Sequence, residues 1–157
     1  MLYLTFQLGT EAYALAGRWI VEVIPWVSLR PLACVPEFVA GVFDYKGTVV
    51  PVLDLCLLAA GRTAEARMSS RIVVVRYPLA SGESRSLGLL AEQVTDLVHL
   101  REDQIESTGV SAPGAEFMGG VVRVEGRLVQ VVSPTGILGD TVRDLLFSDR
   151  EGEDAGA

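Results

Sequence analysis

Any chemistry in this chain would have to be built from one histidine, two cysteines and a few carboxylates set in apolar runs. His99 is the single histidine and lies inside the run Leu97–Leu100. A general base needs a positioned partner, and the residues around His99 announce none. Cys34 and Cys56 stand 22 positions apart, with no second pair and no histidine nearby. Zinc sites use four ligands in closely spaced pairs, so the two cysteines read as small buried thiols kept reduced. Ser69-Ser70 and Ser133 lack the strand–turn–helix setting of a nucleophile elbow. No phosphate-cradling glycine loop or dinucleotide fingerprint is present. The carboxylates Glu22, Asp44, Asp54, Glu92 and Asp96 are scattered over strands and turns. The residue types therefore point away from catalysis, and no cofactor or metal is expected.

The elements that would position these residues are short strands. The chain has 157 residues, half of them hydrophobic, enough for one domain or two small intertwined ones. No apolar run approaches the ~20 residues of a helical membrane span, so no direct membrane insertion is expected. Met1-Leu2-Tyr3-Leu4 has neither a basic start nor a cleavage site, so no signal peptide is expected. Net charge is −7, of which the segment 149–157 supplies −3. A mildly acidic body does not suit nucleic acid, which calls for a basic face.

Tyr3–Leu8 and Ala12–Ala16 read as two strands around a turn at Gly9-Thr10-Glu11, and Trp19–Ile24 as a third apolar run. Pro36–Val39 suggests one helical turn. Gly41 to Leu55 reads as a hairpin turning at Asp44–Gly47, its second arm buried on both faces and Pro51 at an edge or bulge. Asp54–Ala60 suggests a short helix ending at Gly61, and the polar segment 62–70 a mobile connector. Further strands follow at Arg71–Tyr77 and within Ser86–Leu100, then a helical turn over Leu100–Glu106 and a loop over 107–115. A second hairpin over Gly120–Val132 turns at Gly126, and Asp140 is placed to cap a helix running to about Phe147.

The pattern repeats. Gly41-Val42, Gly47, Val50 and Val52 recur as Gly120-Val121, Gly126, Val129 and Val131, each 79 positions on. Ile20–Ile24 recurs as Val94–Val98, 74 positions on. Two echoes in the same order predict two copies of one β unit, each too small to bury a large core alone. The aromatic Tyr45 lies in the first turn, where an exposed ring would anchor a partner.

Pro36-Glu37-Phe38-Val39-Ala40-Gly41-Val42, Lys46-Gly47 and Val50-Pro51-Val52-Leu53-Asp54-Leu55 resemble the hallmark segment of CheW-like domains. Tyr3–Gly9 is similar to that family's opening strand, Val21-Glu22-Val23 to its Val-x-Glu-Val element, and Leu89–Val94 to the segment that usually carries Val-Asp-x-Val. Leu100–Ile105 and Glu116–Gly120 are similar to later landmarks, so the resemblance covers about residues 2 to 147. It implies an all-β fold of two intertwined five-stranded SH3-like barrels with short helices and a C-terminal helix. On that reading residues 1–147 form one CheW-like domain of two pseudo-repeated subdomains with a shared core, and 148–157 form an acidic, disordered tail. The resemblance also implies a non-catalytic, cytoplasmic adaptor at membrane-bound receptor arrays. Its partners would be the cytoplasmic tip of a methyl-accepting chemoreceptor, the regulatory domain of a CheA-like histidine kinase, and other CheW-like proteins. Glu22, Gly41, Val42, Asp44, Tyr45, Lys46 and Gly47 are the positions that it marks for partner binding.

The chain departs from the family pattern at Asp44 and Tyr45, where Asn and Leu are usual, and at Lys46, which stands for Arg. Ala91-Glu92 replaces Val-Asp, and Ser133-Pro134 replaces an Asp-containing strand end. These changes point to a divergent chemosensory pathway, and Phe43-Asp44-Tyr45 resembles Wsp-type couplers. An alternative from another class is a small-molecule-binding or enzymatic β-barrel. A third is a regulatory module of a longer kinase or response-regulator chain.

Overall fold

The computed structural model describes residues 1–109 and 116–147. Alternating and β-branched runs form nine strands among these residues: β1 Leu2–Leu8, β2 Glu11–Ala16, β3 Ile20–Pro25, β4 Val39–Tyr45, β5 Thr48–Asp54, β6 Arg71–Pro78, β7 Ser84–His99, β8 Met118–Val124 and β9 Arg127–Val132. Two short α-helices, α1 Leu55–Ala60 and α2 Asp140–Leu146, and two single 3-10 turns, Gly17–Trp19 and Glu102–Gln104, complete the set.

The strands form two five-stranded barrels that share β7. The first runs β3-β6-β7-β5-β4, using the N-terminal half of β7. The second runs β7-β1-β2-β9-β8, using the C-terminal half. The N-terminal strands β1 and β2 thus belong to the barrel completed by the last two strands, which intertwines the halves.

The echo is a structural repeat. Val42 pairs with Pro51 and Val121 with Gln130, each 79 positions on. Both outer pairs carry a register shift, between Val39 and Gly41 and between Met118 and Val121. Both also take an isolated bridge from an irregular segment, Arg30 to Val42 and Glu106 to Val121. The parallel pairs repeat too, β5 with β7 and β2 with β9. Pro51 lies just outside the β5–β7 ladder, which begins at Val52, so no donor is missed there.

Three apolar clusters fill the structure. Val52, Ile72, Val74 and Leu90 fill the first barrel. Tyr3, Ala14, Ala16, Leu100, Val122 and Val129 fill the second. The largest cluster joins the two, with Leu4, Phe6 and Leu15 of β1–β2 packed with Leu53, Val73, Leu87 and Leu89. Truncating one such buried leucine costs about 2–5 kcal/mol.

Asp54 caps α1 by accepting from the Leu57 amide at 3.1 Å, and Gly61 closes the helix in the left-handed region (φ 77).

Pro36–Val39 forms the single turn expected, with the Val39 amide on the Pro36 carbonyl, and stops there because Val39 enters β4. Three local expectations are corrected. Asp140 is the first residue of α2 rather than its cap: Gly139 takes the cap position, and Asp140 pairs with Arg143 instead. Cys34 is exposed, on a bend between prolines; only Cys56 is buried. The segment 62–70 is strapped down, because its amides find two distant buried carboxylates: Ala64 donates to Asp54 and Glu65 to Glu92. Residues 110–115 of the expected loop and the expected tail at 148–157 lie outside the described residues.

Candidate functional site

The first hairpin turns on Lys46 and Gly47, both in the left-handed region (φ 51 and 87). Two such residues in succession make a type I′ turn, whose twist matches the flanking strands. Asp44 braces it by accepting from the Gly47 amide at 2.8 Å. Gly41 is needed for a different reason: it is buried, its φ is 148, and a Cβ there would lie 2.5 Å from the Arg30 carbonyl oxygen. Only a glycine lets the bridge between Arg30 and Val42 close.

This framework brings Glu22, Tyr45 and Lys46 together. β3 and β4 are the outer strands of the first barrel and do not pair with each other. The Tyr45 phenol crosses this seam and donates to Glu22 Oε1 at 2.5 Å. Lys46 Nζ reaches the same oxygen at 3.3 Å and lies 5.2 Å from the centre of the Tyr45 ring. The two donors hold the Glu22 carboxyl below its usual range, Tyr45 acting most strongly. Glu22 in turn raises both the Tyr45 phenol and the Lys46 ammonium.

Of the residues marked by sequence, Glu22, Tyr45 and Lys46 thus form one clasp. Asp44 and Gly47 shape its turn, and Gly41 and Val42 seat the strand behind it. Tyr45 is not a free tip. It is half-buried, packs edge-on against Phe43, and spends its hydroxyl on Glu22.

The other face of β3 borders a groove, expected between two packed barrels, whose lining residues sequence reasoning did not name. It lies between the barrels, has a volume of about 610 Å³, and is walled by Leu2, Leu4, Ile20, Val23, Val94 and Leu97. Val23 and Leu97 are equivalent under the 74-residue offset, and both are exposed, at 37% and 62%. The signal was present in the echo itself, which puts an apolar residue at the same place on two strands that face each other.

A second polar cluster lies apart from the hairpin. Glu92 is buried and accepts from Arg62 at 2.7 and 3.2 Å and from the Glu65 amide at 2.6 Å. Arg62 holds the Glu92 carboxyl below its usual range although burial acts the other way. Cys56 Sγ sits 3.9 Å from Glu92 Oε1, and burial, then Glu92, pushes its thiol up.

The family model for the CheW-like domain matches residues 2–142. The chain belongs to the CheW-like domain family. Among curated relatives of this CheW-like chain are proteins named "Chemotaxis protein CheW". That of Thermotoga maritima is 28% identical over 126 residues, 80% of each chain. That of Rhizobium meliloti is 27% identical over 131 residues, covering 82% of this chain and 81% of the relative. That of Treponema pallidum is 25% identical over 121 residues, covering 76% and 71%. The fold matches the solved scaffolding protein TtCheW of Thermoanaerobacter tengcongensis, with a TM-score of 0.74, 23% identity, and coverage of 90% of this chain and 89% of that one. Among the described residues of the CheW-like chain, no helix is long and apolar enough to cross a membrane.

Proposed function

We propose that this chain is a non-catalytic adaptor that couples the cytoplasmic tip of a methyl-accepting chemoreceptor to the regulatory domain of a CheA-like histidine kinase, in the cytoplasm beneath a receptor array. The observation that carries this reading is the family match across residues 2–142. The geometry supports a division of labour between two surfaces. The interbarrel groove suits the apolar face of a helical hairpin, which is how a receptor tip would enter it. The clasp fixes the edge strand β3 from its opposite face, so Glu22, Tyr45 and Lys46 act by ordering a wall of the groove, while Asp44, Gly47, Gly41 and Val42 hold the hairpin in register.

The kinase contact is proposed at the hairpin tips. Val49 and Leu128 are equivalent under the 79-residue offset and are exposed at 68% and 53%. Beside them the equivalent turn positions carry opposite charge, Lys46 and Glu125. Two surfaces of like shape and opposite charge suit pseudo-symmetric packing against another CheW-like domain, such as the regulatory domain of the kinase. An adaptor of this kind changes kinase activity only as far as the assembled geometry favours one kinase state over another.

Calorimetric titration with the two purified partners tests this. Leu97→Asp, in the groove, should abolish binding of a receptor-tip hairpin and leave the kinase regulatory domain bound. Wild-type protein that bound neither partner would refute the reading.

A further inference from the structure

β7 is shared by both barrels, and just past its crossing point it carries a non-glycine residue in the left-handed region. Residues Ser84–Ala91 of this strand pair with β6 in the first barrel, whereas Glu92 and Asp96–His99 pair with β1 in the second. Between Glu92 and Asp96, Gln93 has φ 45, and the β1–β7 register shifts between Thr5 and Gln7, opposite this stretch. A glutamine rarely adopts that conformation unless its surroundings impose it. The backbone thus bends just after it passes from one barrel into the other.

The segment 62–70 straps both sides of that bend. Before the bend, Arg62 and the Glu65 amide bind the buried Glu92 carboxylate. After it, the Val94 amide donates to the Ser69 carbonyl at 3.0 Å. Arg67 and Ser70 tie the strap to itself: the Arg67 amide donates to Ser70 Oγ, and Ser70 Oγ donates to the Glu65 carbonyl. The strap then reaches the groove. Arg71, which lines it, donates to the Met68 and Ser70 carbonyls.

We propose that Glu92 and Arg62 form a lock on the interbarrel hinge at Gln93, and that this lock sets the width of the groove. A buried carboxylate has few ways to be satisfied, so the guanidinium fork and the Glu65 amide must stay in place while Glu92 is ionised. Their position fixes the strap, and the strap fixes Val94 and Arg71, both of which line the groove. Glu92 and Arg62 are therefore positioning residues for whatever occupies the groove. The step from groove width to receptor affinity rests on the function proposed above.

The test has one readout that needs no partner. Spin labels carried on unnatural ketone residues at positions 49 and 128, one on each barrel, report the interbarrel distance and leave Cys34 and Cys56 untouched. The wild type should give one narrow distance distribution. Glu92→Gln, close in shape to glutamate, should broaden it and weaken receptor-tip binding about five- to tenfold, the range of a modest coupling between sites. Arg62→Lys should fall between the two, because it keeps the charge and loses the fork. Should Glu92→Gln fold poorly, the paired variant Glu92→Gln with Arg62→Gln removes both charges together and should broaden the distribution as well. A cooperatively folded variant of either kind with the wild-type distribution would overturn the lock. A broadened distribution with unchanged receptor affinity would uphold the lock and count against the groove as the receptor site.

Discussion

The two barrels share a topology and differ at their seams. In the first, Glu22 on the outer strand is met from across the gap by the Tyr45 phenol and the Lys46 ammonium. The equivalent positions in the second are Asp96, Val124 and Glu125. There the gap is an open cleft of about 430 Å³, lined by Thr5, Gln7, Asp96, Val124 and Glu125 among others. Arg127, also in this cleft, turns to the Thr10 carbonyl. The backbone of the repeat is held by features that recur, namely the left-handed turn pairs Lys46-Gly47 and Glu125-Gly126 and the close approaches at Gly41 and Gly120. The side chains on that backbone diverge in charge and reach. Pairing register and glycine placement keep the fold, and the turn residues are left to distinguish the surfaces.

The largest effects should come from the shared framework. A Cβ at Gly41 or Gly120 would lie 2.5 or 2.4 Å from a carbonyl oxygen. Gly41→Val and Gly120→Val should each destabilise by more than about 2 kcal/mol in urea titrations. Gly41→Val should be the worse, since only Gly41 also has a positive φ. Equal losses would show that the two bridges are governed by space alone.

Acid should act next, through Glu92. Its carboxyl is held below the ordinary glutamate value of about 4.5, mainly by Arg62. A lowered carboxylate contributes stability that is complete above its unfolded value and is lost as pH falls through the folded one. The charged or titratable groups around it are Arg62, Arg67, Glu65 and Cys56, with Asp54 beside Cys56. Wild-type melting temperature should therefore fall below about pH 4.5 more steeply than that of Glu92→Gln. Parallel curves would remove Glu92 as the source.

The clasp should matter for binding more than for stability, since exposed ion pairs contribute little to folding. Lys46→Glu should weaken receptor-tip binding about tenfold with a melting temperature within about 2 °C of wild type. The mirror change, Val124→Tyr with Glu125→Lys, should seat both new side chains on Asp96, as a crystal structure would reveal. A folded Lys46→Glu protein that binds normally would take the clasp out of the interface.

Smallest in stability should be Val49→Ser and Leu128→Ser, both exposed and each within about 0.5 kcal/mol of wild type. Weaker binding of a kinase regulatory domain by one variant and not the other would assign that partner to a barrel. Equal weakening would assign it to both tips.

Much of the fold was legible because its signals are local. Val-rich runs and paired turn residues marked the hairpins, Asp54 and Gly61 bounded α1, and the 79-residue echo announced the repeat. What escaped notice is non-local. Nothing near Leu2–Ala16 says that β1 and β2 join the barrel finished by β9, more than 100 positions on. Arg62 and Glu92 are 30 positions apart, so the strap between them read as a loose polar connector. In the site, the acid on β3 and the base in the hairpin turn were legible through family resemblance. The Tyr45 phenol on Glu22 was not, because a turn aromatic reads as exposed until a partner 23 positions away takes its hydroxyl.

The central claim is coupling, and receptor-dependent kinase autophosphorylation tests it most directly. A chemoreceptor cytoplasmic fragment, a CheA-like kinase and this chain would be mixed and each omitted in turn. The account predicts that the receptor changes the phosphorylation rate only when the chain is present, and that Leu97→Asp abolishes the response while the kinase remains bound. A receptor response that persists without the chain, or survives Leu97→Asp intact, would contradict it.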